Sequence, residues 1–388
     1  MKPLAKNATA MPPSGIREVM VLASQIPDAI HLEVGEPGFP TPPHVVEGGC
    51  EGARQGFTKY APSAGLTTLR QAIVTKLAQR NGIQTAVENV VVTAGAACAM
   101  NTSVFALADA GDEVLIPDPG WPNYIMQVLA AGAVPRGYPL RVGDGFLPDM
   151  QALRNMVTKR TKALIINTPS NPAGSVFPKE VMQELVQFAV ERDLYVVSDE
   201  VYEELVFEGE HHSAASFDPD GRVLTVFGFS KTYAMTGWRL GYVVTTKELA
   251  QLLTKLQEPF VSCACSISQK AAEAALAGPQ DCVAAMRDGY RRNRDVAVGI
   301  LQAAGLLRYV PRGAFYVLVD ISGTGMDSYT FAKELLREQK VAVAPGATFG
   351  QVAKEYVRVS LAGEEALVAE GVDRLCKYIL ERRQGQKA

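Results

Sequence analysis

Residues 223–241 read VLTVFGFSKTYAMTGWRLG, an apolar strand-like run followed by a lysine, Lys231, and eight residues later by an arginine, Arg239. Only small, apolar or uncharged residues separate the two cations, and burial among such neighbours makes a lysine lose its proton readily. A neutral amine can form a Schiff base with an aldehyde, and a guanidinium has the shape to bind a phosphate. The segment therefore indicates a site for an aldehyde that carries a phosphate, although either residue alone is more often a solvated surface charge.

The composition is that of an ordinary globular protein of 388 residues, with 47% hydrophobic residues, 20% charged residues and a net charge of −3. There is no basic stripe, so we expect no nucleic-acid partner. No run of about 18 apolar residues predicts a membrane span, and residues 1–15 lack the apolar core of a secretory signal. The six cysteines and four histidines have no metal-ligand spacing. We therefore expect reduced thiols, no metal and a cytoplasmic location.

Strands and helices alternate from about residue 43 to residue 278. The apolar runs Ala163–Ile166 and Leu194–Ser198 show no polar alternation, which predicts strands buried on both faces, and Lys179–Glu191 between them predicts a helix. Such alternation is typical of an α/β fold whose mostly parallel central sheet is covered by helices.

The chain is long enough for two domains. We expect a large domain over residues 43–285 and a smaller α+β domain formed by residues 1–42 and 286–388. One long helix, predicted over Pro279–Gly305, would bridge the two.

Chemically distinctive residues follow the predicted strands, at the sheet edge where open α/β sheets bind ligands. Gly95, Ala96 and Ala97 open a helix, where small residues let backbone N–H groups approach a phosphate, although such residues also simply ease packing. Trp121 lies in a loop, DPGWPNY, where an aromatic ring can stack on a planar ligand or close the edge of the core.

Two further strands are followed by an amide and a carboxylate. Asn171, in the segment NTPSNPAG, can donate a hydrogen bond to an oxygen on the ring of such a planar ligand, but asparagine before proline is also a common turn former. Asp199 comes directly after a buried strand, where it would either cap a helix or keep a pyridine nitrogen protonated. Tyr202 lies three residues on, within reach of the same ring.

Together these segments resemble the fold-type I, class I/II aminotransferases of the aspartate aminotransferase superfamily, and the string around Lys231 resembles the lysine-attachment signature of that family. The resemblance extends from about Ser14 to Ala362 and implies pyridoxal 5′-phosphate (PLP) as the cofactor. The residues that it implies as cofactor-binding are Gly95, Ala96, Ala97, Trp121, Asn171, Asp199, Tyr202, Ser230, Lys231, Arg239 and Tyr60.

The resemblance also implies substrate contacts by Gly35, Arg358, Asn171 and Trp121, with the Arg358 guanidinium on the α-carboxylate. Without the family context, an exposed strand charge is the alternative interpretation of Arg358. Tyr60, in the context KYAPSAG, is implied to reach the phosphate of the neighbouring subunit, which makes the active unit a homodimer. A cis peptide bond is implied after Asn171.

Two positions depart from the family pattern. Gly38 stands where the family usually has aspartate after Gly-Glu-Pro, and we assign no effect to it. Ala97 stands where members that favour aspartate often have a lysine that meets the distal carboxylate. A neutral or broad amino donor is therefore slightly favoured, and aspartate stays open because a partner-subunit arginine could replace that lysine.

The expected activity is the transfer of an amino group from an α-amino acid to a 2-oxo acid, with 2-oxoglutarate as the expected acceptor, by a ping-pong mechanism through a Lys231 Schiff base. Lys231 is the expected base at Cα, Asp199 holds the ring nitrogen protonated, and Tyr202 bonds the ring oxygen. Two alternatives stay open: a PLP-dependent β-lyase (a carbon–sulfur lyase) on the same fold, and a non-catalytic PLP-sensing regulator. The regulator is disfavoured because only about 40 residues precede the first motifs.

Overall fold

The structure, a computed structural model, describes residues 1–385. The strands are β1 (Ile30–His31), β2 (Val90–Thr93), β3 (Glu113–Asp118), β4 (Val134–Pro139), β5 (Thr161–Asn167), β6 (Tyr195–Asp199), β7 (Val223–Gly228), β8 (Gly241–Val244), β9 (Tyr316–Asp320), β10 (Val341–Ala342), β11 (Ala344–Pro345) and β12 (Tyr356–Ser360). The helices are α1 (Lys6–Thr9), α2 (Gly15–Ala23), α3 (Pro43–Arg54), α4 (Thr67–Lys76), α5 (Ala96–Leu107), α6 (Asn123–Ala130), α7 (Met150–Met156), α8 (Lys179–Glu191), α9 (Phe229–Thr232), α10 (Lys247–Val261), α11 (Ser266–Ala277), α12 (Asp281–Ala303), α13 (Ser328–Gln339) and α14 (Glu365–Gly385). A π-helical turn, Leu77–Asn81, extends α4, and single 3-10 turns lie at Val87–Asn89, Val142–Asp144, Ala214–Phe217 and Gly346–Phe349.

The central sheet has seven strands in the order β2-β8-β7-β6-β5-β3-β4. Strands β7, β6, β5, β3 and β4 are parallel to one another, and β8 runs antiparallel to both of its neighbours. The prediction of an α/β fold with a mostly parallel central sheet is therefore confirmed. Because the parallel strands share one direction, their carboxyl ends and the loops that follow them meet at one edge.

Helices cover both faces of this sheet, and the sequence of the strands explains why. Successive strand residues point to opposite faces, so apolar residues at every position require an apolar layer on each side. On one face Val91, Ile165 and Val197 pack in a cluster that includes Met100 of α5 and Leu253 of α10. Fully burying one such aliphatic side chain contributes about 1.5–3 kcal/mol.

A second, smaller sheet region lies C-terminal to α12. Strands β11, β12 and β9 form a three-stranded antiparallel sheet, and β1 near the N-terminus pairs in parallel with β10. The N-terminal segment thus packs with the C-terminal part of the chain. The domain limits at residues 42/43 and 285/286 stay predictions, and α12 passes the second limit without a break.

Carboxylate caps fix where two of the helices begin. The Asp149 side chain accepts hydrogen bonds from the backbone N–H groups of Gln151 and Ala152 at the start of α7, at 2.9 and 3.0 Å. Asp327 caps α13 in the same way. Each cap satisfies backbone donors that have no partner inside the helix.

Candidate active site

Polar residues of the central sheet collect at the carboxyl ends of its parallel strands. β3 ends at Asp118, β5 at Asn167, β6 at Asp199 and β7 at Gly228. These four strands are consecutive neighbours in the sheet, in the order β7-β6-β5-β3. The loops after them therefore form one continuous edge of the sheet, where the site is assembled.

Lys231 lies on α9, the short helix that follows β7 directly. Its Nζ donates a hydrogen bond to the backbone carbonyl of Gly35 and lies 5.7 Å from the centre of the Phe315 ring. Burial, together with the positive charge of Arg358, lowers the pKa of this amine to about 8, while Glu36 opposes the shift. Lys231 is therefore partly uncharged close to neutral pH, as a nucleophilic amine requires.

Asp199 is buried at the end of β6, with 4% of its surface exposed. The Tyr124 hydroxyl donates to Oδ2 at 2.6 Å and the Val201 backbone N–H to Oδ1 at 3.3 Å. Burial raises the pKa of the Asp199 carboxyl to about 6, although both hydrogen bonds pull it down. This carboxylate is thus negative at neutral pH and is suited to bind a positively charged group.

Tyr124 and Asn167 were not among the predicted site residues. Tyr124 belongs to the same segment as Trp121, whose ring meets it edge-on at 5.5 Å. The Asn167 side chain donates to the Asp199 carbonyl at 3.0 Å and accepts from the Asn171 backbone N–H at 2.8 Å. Asn167 therefore fixes Asn171 relative to Asp199, and its place at a strand end was the signal available in the sequence.

Arg358 lies on β12 and is only 2% exposed. Its Nη1 donates to the Asn171 side-chain oxygen at 3.0 Å, and its Nη2 donates to the backbone carbonyl of Glu33. The guanidinium lies between two rings, 4.4 Å from the centre of Tyr316 and 4.8 Å from that of Phe349.

Both hydrogen-bonded partners of Arg358 are neutral oxygens, and its buried Nε has no partner in the described chain. Burial lowers the pKa of this guanidinium. A buried cation that is hydrogen-bonded only to neutral oxygens is costly for the protein alone. The arrangement is suited to a ligand carboxylate.

Gly35 and Tyr202 meet at Tyr316. The hydroxyls of Tyr202 and Tyr316 lie 2.7 Å apart, and a Cβ at Gly35 would lie 1.8 Å from the Tyr316 hydroxyl. Only glycine fits at position 35 with this tyrosine in place. The cis peptide bond implied between Asn171 and Pro172 is present.

The segment predicted to bind phosphate begins beside the Arg239 guanidinium. Gly95 has φ of +83°, and a Cβ there would lie 2.6 Å from Nη2 of Arg239. Arg239 also donates from Nη1 to the Thr236 carbonyl at 2.9 Å. Ala96 is the first residue of α5, so a guanidinium lies beside a helix N-terminus, where backbone N–H groups favour an anion.

The remaining predicted residues lie in three places. Ser230 precedes Lys231 on α9. Ala97 is on α5, where its carbonyl accepts a hydrogen bond from the Gln127 side chain at 3.0 Å. Tyr60 is 92% exposed, so within one chain it is not packed against the other site residues.

The side chains present fit PLP. The amine of Lys231 suits its aldehyde, the buried carboxylate of Asp199 suits its ring nitrogen, and Arg239 beside Gly95 suits its phosphate. Within residues 1–385 no group of three or more His, Cys, Asp or Glu side chains is placed to hold a metal ion. No helix in that range has the length and apolar character needed to cross a membrane.

Comparison with known proteins agrees with this fit. The family model of aminotransferase class I and II matches residues 27–375. The aspartate aminotransferase of Pyrococcus abyssi is 40% identical over 96% of this chain and 97% of its own length. The aspartate/prephenate aminotransferase of Thermus thermophilus is 39% identical over 98% of this chain and 99% of its own length. The aromatic-amino-acid aminotransferase 2 of Thermococcus litoralis is 37% identical over 96% of this chain and 97% of its own length.

A solved structure shows the same similarity in three dimensions. The Thermus thermophilus aspartate aminotransferase with maleate superposes with a TM-score of 0.93 at 39% identity, covering 97% of this chain and 100% of that one.

Proposed function

This chain belongs to the class I and II aminotransferases, and we propose that it moves the amino group of an α-amino acid to 2-oxoglutarate with the residues described above. It is a PLP-dependent aminotransferase with the fold of type I enzymes. The observation that carries the assignment of residues is the Lys231 amine, which has a pKa of about 8 and lies near the incompletely bonded cation Arg358.

When bound, PLP supplies an electron-withdrawing ring that makes the α-hydrogen of an attached amino acid acidic. Lys231 would hold the cofactor covalently, and its amine, once released, would take up the proton from the donor's Cα and later give it back. A pKa of about 8 suits an amine that takes up and gives back one proton near neutral pH.

Asp199 keeps a proton on the pyridine nitrogen. Its carboxylate has a pKa of about 6, already negative at neutral pH before any cation faces it. A pyridinium at hydrogen-bonding distance would lower this pKa further, because an opposite charge favours the ionised carboxylate. Tyr124 fixes the carboxylate through its hydroxyl at 2.6 Å.

Arg358 binds the α-carboxylate of the donor and of the 2-oxo acid. Asn171 and the carbonyl of Glu33 hold two of its nitrogens, and the rings of Tyr316 and Phe349 fix its plane. Asn171 and Tyr202 also contact the cofactor ring oxygen, and Gly35 provides the space for the ligand.

Trp121 stacks on the ring. The phosphate is bound by Gly95, Ala96, Ala97, Ser230 and Arg239, with Tyr60 from a second copy of the chain. The exposure of nearly the whole Tyr60 side chain supports an interface at this point. We place the enzyme in the cytoplasm, where its six free cysteines would stay reduced.

Subunit complementation tests the homodimer. A Lys231→Ala chain and a Tyr60→Ala chain, mixed and refolded together, form hybrids in which one site carries both changes and the other carries neither. Activity regained on mixing supports the shared site, and no regain in verified hybrids contradicts it.

Substrate choice is tested with a panel of donors and 2-oxoglutarate. Ala97 offers no cation to a distal carboxylate, so we expect aspartate to have no large advantage over alanine or phenylalanine. A paired contact of this kind contributes roughly 2–5 kcal/mol, so Ala97→Lys should shift preference towards aspartate by a factor of tens or more. An aspartate preference above about a hundredfold in the unchanged enzyme would show that another cation meets that carboxylate.

The same assay separates aminotransfer from β-elimination. Glutamate formed from 2-oxoglutarate identifies transfer, whereas pyruvate and ammonia released without an acceptor identify a lyase.

A further inference from the structure

Asp118 connects the loop after β3 to a distant turn that follows the 3-10 segment Gly346–Phe349. The Gln351 backbone N–H donates to its Oδ2 at 3.1 Å, and the Val352 N–H donates to its Oδ1 at 3.0 Å. Both carboxylate oxygens are therefore occupied by donors more than 230 residues away in sequence.

The loop after β3 and this turn form a junction, and two more contacts stabilise it. The Gly120 backbone N–H donates to the Phe349 carbonyl at 2.9 Å. Gly350 has φ of +133°, and a Cβ there would lie 2.1 Å from Oδ1 of Asp118. The close approach of the carboxylate thus depends on a glycine at position 350.

The two joined segments carry different parts of the site. Trp121 comes directly after Gly120, and its ring contacts Tyr124, which bonds Asp199. On the other side, Phe349 is almost fully buried and its ring lies 4.8 Å from the Arg358 guanidinium carbon. The junction sets the distance between the proposed cofactor-stacking loop and the ring that covers the proposed carboxylate-binding arginine.

We propose that Asp118 is a positioning residue for substrate-carboxylate binding: its carboxylate holds the 349–352 turn against the Trp121 loop and so keeps the Phe349 ring on Arg358. The inference rests on the proposed role of Arg358. Charge-assisted hydrogen bonds to backbone N–H groups are among the stronger ones in proteins, and two of them fix the turn in both position and direction. Small displacements of a binding group are costly for turnover.

The ordinary alternative is that Asp118 merely stabilises a loop. Asp149 provides the matched control, because its carboxylate also accepts two backbone N–H groups, at 2.9 and 3.0 Å, but from its own helix α7. Asp118→Ala and Asp149→Ala therefore remove the same kind of bonds, and only the first separates the two segments.

The test uses the PLP-loaded enzyme with L-glutamate as the probe donor and two readouts. In Asp118→Ala we expect amide exchange at Gln351 and Val352 to rise at least about tenfold, since both N–H groups lose their acceptor. We expect KM for glutamate to rise about tenfold while kcat changes less than about threefold. Asp149→Ala should change neither quantity.

Gly350→Ala attacks the same contact from the other side and should reproduce the KM effect, which keeps the test decisive if Asp118→Ala folds poorly. Faster exchange at residues 351 and 352 with an unchanged KM would overturn the proposal, and so would unchanged exchange. Failure of the proposed Arg358 role is distinguishable, because Arg358→Lys would then affect amino-acid donors no more than simple amines that lack a carboxylate.

Discussion

Replacing Arg358 by lysine isolates the geometry of the guanidinium from its charge. Arg358 uses Nη1 and Nη2 on Asn171 and on the carbonyl of Glu33, and its plane is fixed between two aromatic rings. A lysine ammonium would keep the positive charge in the same place. It would lose the planar fork that can meet both oxygens of a carboxylate.

The magnitude follows from the loss of one charge-assisted hydrogen bond to the substrate. Such a bond contributes about 1.5–3 kcal/mol, and about 1.36 kcal/mol corresponds to a tenfold change. We therefore expect kcat/KM for amino-acid donors to fall about 10- to 150-fold in Arg358→Lys.

Single-turnover absorbance of the PLP-loaded enzyme provides the assay, with L-glutamate compared with a simple amine that has no carboxylate. The amine should react at a rate within about threefold of that of the unchanged enzyme, because it never used the guanidinium fork. Arg308→Lys is the control, since Arg308 is a half-exposed partner of Asp320 in the same part of the fold. Equal losses of reaction rate for the amine and the amino acid would show that Arg358 stabilises the structure and does not bind the substrate carboxylate.

Three further results are expected. Lys231→Ala should abolish turnover, and borohydride should fix the cofactor mass on the Lys231 peptide of the unchanged enzyme; labelling of another lysine refutes the assignment. Asp199→Ala should still bind PLP but transfer amino groups orders of magnitude more slowly, and near-normal rates would reject its role. Burial is the largest single influence on the pKa of His211 and lowers it, but the hydrogen bond to Glu200 and the charges of Glu200 and Glu203 together outweigh burial, so the pKa is raised. Its contribution is full below about pH 6.5 and disappears as pH rises through the raised folded pKa, so the Tm deficit of His211→Gln should shrink with increasing pH, and a constant deficit contradicts this.

The positions that define the chemistry could be predicted from the sequence because each lies at the end of a strand or just after it. Asp199 ends β6, and Lys231 comes three residues after β7 ends at Gly228. An apolar run without alternation predicts a buried parallel strand, and the residue after it must lie at the ligand-binding edge. Local pattern therefore sufficed to place these two residues.

The partners of those positions were not readable, because they come from distant parts of the chain. Tyr316 touches both Gly35 and Tyr202, and Phe349 covers Arg358. Each of these aromatic residues has the pattern of an ordinary core residue in sequence. Only the packing of β9 and β12 against the N-terminal segment brings them to the site.

Two strands of the central sheet also lacked a clear signal. β4 contains Pro135, Gly137 and Pro139, which weaken a strand prediction, and the strand exists at the edge of the sheet where such residues are tolerated. β8 follows the Lys231 segment so closely that its apolar run reads as part of that segment, and its antiparallel direction depends on tertiary pairing.

The buried charges of the site make sense only together with its ligands. Burial lowers the pKa of Lys231 and of Arg358 and raises that of Asp199, so in each case the protein environment opposes the charged form. Apolar residues in these places would give a more stable fold, since buried ions are seldom stabilising in themselves. The pattern matches the ligand instead, with a cation where the substrate carboxylate binds and an anion where the pyridinium binds. The desolvation of these groups destabilises the free protein, and this cost is offset when the charged ligands bind. The residues that are least favourable for folding are therefore those that carry the chemistry.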